Sequence, residues 1–299
     1  MLAPRQSTNT LLGSPLAASG PYPFVSCNAS EAEALNGLFP EIADNINNEV
    51  IPNIVAEGQR DRVNNWQANL YSTFFGAAQP SDVQAVFQAI TARSKTNSAG
   101  GPIKPPNIIC LNEDVPELSK ALAVCDAPMN PTAFTRKPLG SAVGANTDIY
   151  LCPSFWDLKA SYSAQDTTHC PTVTNPQSYS YAGDNGIAET QASAIIHALA
   201  HIYAPAPLAY AQETYPINGC DGLPTELRLN NANNYVYLAA VIHATCPSFY
   251  DLNSGDSTTH YPAMADSSTA STPAVLDDWA YDIAFDANAL QANLTALGY

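Results

Sequence analysis

The sequence predicts an α+β fold, mostly helical with a small β-sheet. Apolar residues recur at spacings of three and four through the first third of the chain, again over Glu189–Tyr203, and again over Asn230–Ile242, which is the signature of core-facing helices. Two short runs, Asn107–Leu111 and Asp148–Cys152, have the composition of buried strands. With 299 residues, 46% of them hydrophobic, the chain can bury one large core, and no run approaches the roughly 20 apolar residues that a membrane-crossing helix needs.

Residues 1–26 are rich in Ser, Pro and Gly without periodicity and are expected to form a loosely held arm. They lack the basic start and apolar centre of a signal peptide, so the chain is read as a mature or trimmed form. Residues 27–299 are expected to form a single domain. Its helical part, 27–93, opens with Ser30 and Glu33 as a capping box, followed by Leu35, Leu38, Ile42 and Ile46 on one face, with Pro40 as a candidate kink. A second helix carries Val63, Trp66, Leu70 and Phe74. A third opens at Ser81 with Gln84 and presents Val83, Val86, Phe87 and Ile90. The Gly-Gly and Pro-Pro pairs between Ser94 and Pro106 then break the pattern. Residues 107–250 hold the sheet and the site-bearing helices, and a last helix is expected over 276–297. Asp278, Asp282 and Asp286 share one face of that helix, most simply a solvated one.

Composition narrows function. The 27 Asp and Glu against 11 Lys and Arg leave a net charge of −16, which repels nucleic acid and anionic lipid. The seven cysteines include no CxxC pair and read as disulfides, which points to an oxidising compartment. Asn28-Ala29-Ser30 and Asn293-Leu294-Thr295 are candidate glycosylation acceptors, in keeping with a secreted, extracellular glycoprotein. Short-range pairing suggests Cys110 with Cys125, Cys152 with Cys170, and Cys220 with Cys246. The motif Cys-Pro-Ser-Phe-Trp-Asp-Leu at 152–158 is echoed by Cys-Pro-Ser-Phe-Tyr-Asp-Leu at 246–252. Each copy precedes a histidine, His169 and His260, and two similar loops explain this better than a paired metal site.

The chemistry-bearing motif is His197-Ala-Leu-Ala-His201. Four residues apart on a helix, the two imidazoles project from one face and can share a tetrahedral metal. In HExxH metallopeptidases the Glu after the first His is the general base that takes a proton from metal-bound water. Here that position is Ala198, whose methyl group can accept no proton. Other nucleophile systems are poorly supported. No G-x-S-x-G or P-loop is present, and Glu189, Glu213, Asp221 and Glu226 are only nominal candidates for a glycosidase carboxylate pair.

With those residues in hand, the chain resembles the deuterolysin (aspzincin) family of secreted zinc endopeptidases, close to the peptidyl-Lys metalloendopeptidases. The family pattern has HExxH on a helix, then GTxxDxxYG with an Asp as third zinc ligand and a Tyr near the oxyanion, then a helix beginning NADsYaxYA. This chain has HALAH, then Ala209-Tyr-Ala-Gln212-Glu213-Thr-Tyr215, then Asn231-Ala-Asn233-Asn-Tyr235-Val-Tyr237. The Cys27-led helices, the Phe74-Phe75-Gly76 turn and the Asp148-Ile-Tyr-Leu-Cys-Pro segment extend the likeness over about residues 27–250.

The resemblance implies a zincin-like metallopeptidase fold, with Tyr215 in the Tyr place, Gln212 where the ligand Asp belongs and Asn233 replacing the Asp of the following helix. A one-residue slip would put Glu213 in the third metal position with His197 and His201. The resemblance also implies that Cys27 is unpaired, because Ser94 stands where its family partner would be. Neutral residues at 198, 212 and 233 are what a metal cleft would contain once metal was no longer needed, since carboxylates left without the cation would repel one another.

The leading expectation is therefore a secreted, catalytically inactive deuterolysin-like protein without a cofactor. It would bind an extracellular peptide, glycan or protein through its former substrate cleft, lined by Asn233, Tyr203, Tyr210, Tyr215 and Tyr235. Two alternatives stay open: a zinc endopeptidase with an atypical site of His197, His201 and Glu213, and a zinc-sequestering secreted protein.

Overall fold

In the computed structural model, the described residues are 22–54, 66–92, 95–96, 102–103, 105–113, 115, 118–126, 131–135, 148–160, 190–205, 220 and 223–244. Strand β1 (Phe24–Val25) is followed by helix α1 (Ala29–Asp44), a π-helical turn (Asn45–Val50) and a 3-10 turn (Ile51–Asn53). Helices α2 (Trp66–Phe75) and α3 (Pro80–Ala92) come next. A two-stranded hairpin, β2 (Lys95–Thr96) and β3 (Pro102–Ile103), then leads to β4 (Ile108–Cys110), α4 (Ser119–Cys125), β5 (Ala133–Thr135) and β6 (Ile149–Leu151). Helix α5 (Gln191–Tyr203), the short α6 (Thr225–Arg228) and α7 (Ala232–Ala244) complete the described chain. The α+β class is thus observed, mostly helical with one small mixed sheet. The helix expected over 276–297 lies outside the described residues.

The main sheet has the order β1-β4-β6-β5, with the first three strands parallel and β5 antiparallel at the edge. Successive side chains leave opposite faces of a strand. Phe24, Ile108, Cys110, Ile149 and Leu151 accordingly point into the large core with the helices. Val25, Ile109, Leu111, Tyr150 and Cys152 enter a second core under α4, with Phe134 stacked on Tyr150. Burial on both faces is why β4 and β6 read as continuous apolar runs. Residues 22–25, at the end of the stretch read as a loose arm, are held in this sheet, and Tyr22 donates to Ile90 O at 2.7 Å.

Helix α1 is capped two residues earlier than the Ser30/Glu33 reading. Asn28 Oδ1 accepts from Glu31 N at 3.0 Å, and Asn28 N donates to Glu31 Oε2 at 2.8 Å. The helix runs through Pro40 to Asp44, burying Leu35, Leu38, Phe39 and Ile42. In α3 the expected stripe of Val83, Val86, Phe87 and Ile90 is buried. Gln84 does not complete a capping box; its Nε2 donates across to Ile54 O at 3.1 Å.

The disulfides follow the sheet rather than sequence proximity. Cys27 bonds to Cys110 with a Cα–Cα distance of 4.8 Å, and Cys125 bonds to Cys152 at 5.5 Å. Cys27 sits just past β1 and Cys110 ends the neighbouring strand β4. Cys125 ends α4 on the face towards which Cys152 points. The expected pairs Cys110–Cys125 and Cys152–Cys170 are therefore wrong, and Cys27 is not a lone thiol. Cys220 is buried with its Sγ 3.4 Å from Asn231 Nδ2, while Cys246 lies outside the described residues.

Candidate metal centre

Helix α5 begins where Thr190 Oγ1 accepts from Ser193 N at 3.1 Å, and it is apolar nearly all round. Ile195, Ile196, Leu199, Ile202 and Tyr203 are buried along with the small residues Ala192, Ala198 and Ala200. Only Ala194, His197 and His201 remain partly open. Their spacing of three and then four makes one stripe, so the exposed seam of an otherwise buried helix is the one that carries both imidazoles.

The partner helix sets the geometry. Asn234 Nδ2 donates to Phe74 O and, at 3.2 Å, to Cys220 O, while Asn231 Nδ2 donates to Asn234 Oδ1 at 2.6 Å. Arg228 adds bonds from Nη1 to Thr73 O at 2.7 Å and from Nε to Leu223 O at 2.6 Å. These fix the start of α7 against the end of α2. The chain leaves α2 through Gly76 at φ +57°, where a Cβ would lie 3.0 Å from Thr225 Oγ1. Asn233, buried between Asn231 and Asn234, is thereby aimed at α5.

Asn233 Oδ1 lies 3.1 Å from His197 Nδ1, and His197 Nε2 lies 3.1 Å from His201 Nε2. A carbonyl oxygen only accepts, so with the amide in this orientation Nδ1 of His197 carries the proton and its Nε2 presents a lone pair to His201. This is the arrangement of a metal-ligating histidine, whose far nitrogen donates to an outer oxygen that sets tautomer and ring orientation. Zinc–nitrogen bonds of about 2.0–2.1 Å meeting at the tetrahedral angle place two nitrogens about 3.3 Å apart. The His pair thus fits two positions of a zinc ion, which would supply Lewis acidity there.

Among the described residues no third His, Cys, Asp or Glu joins the pair. Gln212, Glu213, Tyr210 and Tyr215 lie outside the described residues, as do His169 and His260. The one described cluster of three such groups, Cys27, Glu31 and Cys110, has both sulfurs in a disulfide and so has no thiolate to offer. Substituting Asn233→Leu is expected to weaken whatever zinc affinity the histidine pair retains by about 10- to 100-fold by releasing the His197 ring, read by competition with a chromophoric chelator.

Ala198, at the base position, is 2% exposed and belongs to the core. Tyr203 and Tyr235, expected to line a cleft, are both fully buried and pack in that core. Tyr235 meets Phe75 and Phe87 edge-on at 4.9 and 5.3 Å, and its hydroxyl donates to Leu229 O at 2.8 Å. Burial, reinforced by Tyr71 and Asp82, holds its phenol well above the usual tyrosine range, so it stays protonated. Burial likewise raises Tyr203, partly offset by a hydrogen bond with Tyr22. Among the described residues, Asn233 is the member of the expected set that reaches His197.

Against known proteins, no family model matches this chain, and no curated protein matches it. Among solved structures it is similar to a zinc peptidase from Grifola frondosa. The two share 14% identity with a TM-score of 0.38, over 72% of this chain and 97% of that one.

Proposed function

We propose that this chain is a secreted, catalytically inactive relative of the deuterolysin-type zinc endopeptidases that binds an extended peptide beside its former metal helix. The observation that carries the reading is Ala198. The residue after the first histidine is a buried methyl group, so the frame that would hold zinc lacks the group that would activate water. The converging imidazoles, held by a neutral Asn233 in place of an acid, support the same view. Two buried disulfides support export. Among the described residues no helix is long and apolar enough to cross a membrane.

A peptide is favoured over a glycan by the edge of the sheet. β5 packs against α5 and pairs with β6 on one side only among the described residues. Cys152 N donates to Thr132 O, so the register makes Thr132 and Phe134 the hydrogen-bonded positions. The N–H and C=O groups of Ala133 and Thr135 therefore face outwards, as strand addition requires. A net charge of −16 favours a basic partner.

The test is fluorescence anisotropy with unstructured lysine-rich and neutral peptides. The lysine-rich peptide is expected to bind, with affinity falling as salt rises. Thr135→Pro, which removes an outward N–H but no ladder bond, is expected to weaken binding at least about 10-fold while the circular dichroism spectrum is unchanged. Equal binding by Thr135→Pro, or no binding of either peptide, would overturn the reading.

A further inference from the structure

We infer that Asn28 carries an N-linked oligosaccharide. Asn28-Ala29-Ser30 has the acceptor pattern, and all three residues are exposed. Many surface sequons satisfy that much; what distinguishes this one is how the asparagine is used. Asn28 is the N-cap of α1, and the cap is built on its oxygen and its backbone. Oδ1 accepts from Glu31 N at 3.0 Å and from Ser30 Oγ at 3.2 Å, while the backbone N–H donates to Glu31 Oε2 at 2.8 Å. Because a backbone N–H points at the side chain, the capping atom is the oxygen and not the nitrogen. No hydrogen bond of Asn28 uses Nδ2 among the described residues.

Glycosylation consumes only that spare nitrogen. A lipid-linked oligosaccharide pyrophosphate of the secretory compartment supplies the sugar. The bond from Nδ2 to the anomeric carbon forms as the bond from that carbon to the pyrophosphate oxygen breaks, and Nδ2 gives up one proton to the transferase. The product amide keeps its C=O and one N–H, so the capping box survives. The sugar then leaves the chain three residues after Val25, beside β1, which is an edge strand of the sheet among the described residues, and a bulky polar group there opposes edge-to-edge pairing.

The inference rests on the reading that the chain is exported. The experiment expresses the full chain behind a secretory leader in yeast, with Asn293→Gln removing the second acceptor pattern. The secreted protein is then treated with peptide N-glycosidase in heavy-oxygen water and analysed by mass spectrometry. One glycan per chain is expected, with the heavy label at position 28. The mobility shift is expected to vanish in Asn28→Asp, which keeps the capping oxygen, and in Ser30→Ala, which keeps the cap itself. An exported chain with Asn28 bare overturns the proposal alone. A chain retained in the cell with reduced cysteines overturns the export reading and the proposal with it.

Discussion

Replacing Cys27 and Cys110 together by Ala is expected to lower unfolding free energy more than replacing Cys125 and Cys152. The loops they close span 83 and 27 residues, and the chain-entropy account assigns about 4.5 and about 3.5 kcal/mol to them respectively. The longer loop contains α1, α2 and α3, so the bond ties most of the helical part to strand β4 as well as closing β1 onto the sheet. Against a net stability of about 5–15 kcal/mol for an ordinary domain, the first loss would leave the fold marginal. Urea unfolding of the two double variants, followed by tryptophan fluorescence, measures the difference. A larger loss from the 125/152 variant would mean that α4 and its small core, rather than the β1 staple, hold the sheet together. The prediction also bears on compartment: under reducing conditions both contributions disappear.

The parts of this fold that were legible in the sequence are those whose reason is local. Val83, Val86, Phe87 and Ile90 could be placed because α3 buries one stripe and exposes the rest. The α1 cap was misread by two residues because Asn28-x-x-Glu31 and Ser30-x-x-Glu33 both satisfy the pattern, and only the three-dimensional path decides between them. β1 and β5, at two and three residues, have no periodicity to detect. Their reason for existing is a neighbour, β4 for the first and β6 for the second, that composition does not identify. The cysteines misled for the same reason, since adjacency in a parallel sheet joins positions far apart in sequence.

Within the candidate site, the four-residue spacing of His197 and His201 was visible directly, and Asn233 came only through the family resemblance. That Ala194, His197 and His201 form the sole open stripe of α5 was hidden, because a helix apolar all round has no preferred face. Tyr203 and Tyr235 show the converse difficulty: an aromatic near a motif reads as lining or core equally well until its burial is known.

Purified wild-type chain is expected to leave casein intact, with or without added zinc. Without a general base the chemical step loses about 100- to 10,000-fold, which takes ordinary endopeptidase turnover towards the detection limit. The instructive variant is Ala198→Glu, the change that restores the sequence motif. Position 198 is 2% exposed and lies among core side chains. A glutamate there must either displace packed neighbours or bury its carboxylate, at a cost of at least about 2 kcal/mol. Desolvation would also raise its pKa and leave it protonated, unable to take a proton from water. Ala198→Glu alone is therefore expected to lose stability and gain no activity. Pairing it with Gln212→Asp would add an acid where the family resemblance puts the third ligand, so that a zinc ion held there could offset the charge of the new carboxylate. Activity that appears only in the double variant would mark a site whose charges were lost together. Chelator-sensitive hydrolysis by the wild-type chain would instead mean that water is activated by a group other than residue 198, and the inactive reading would fall.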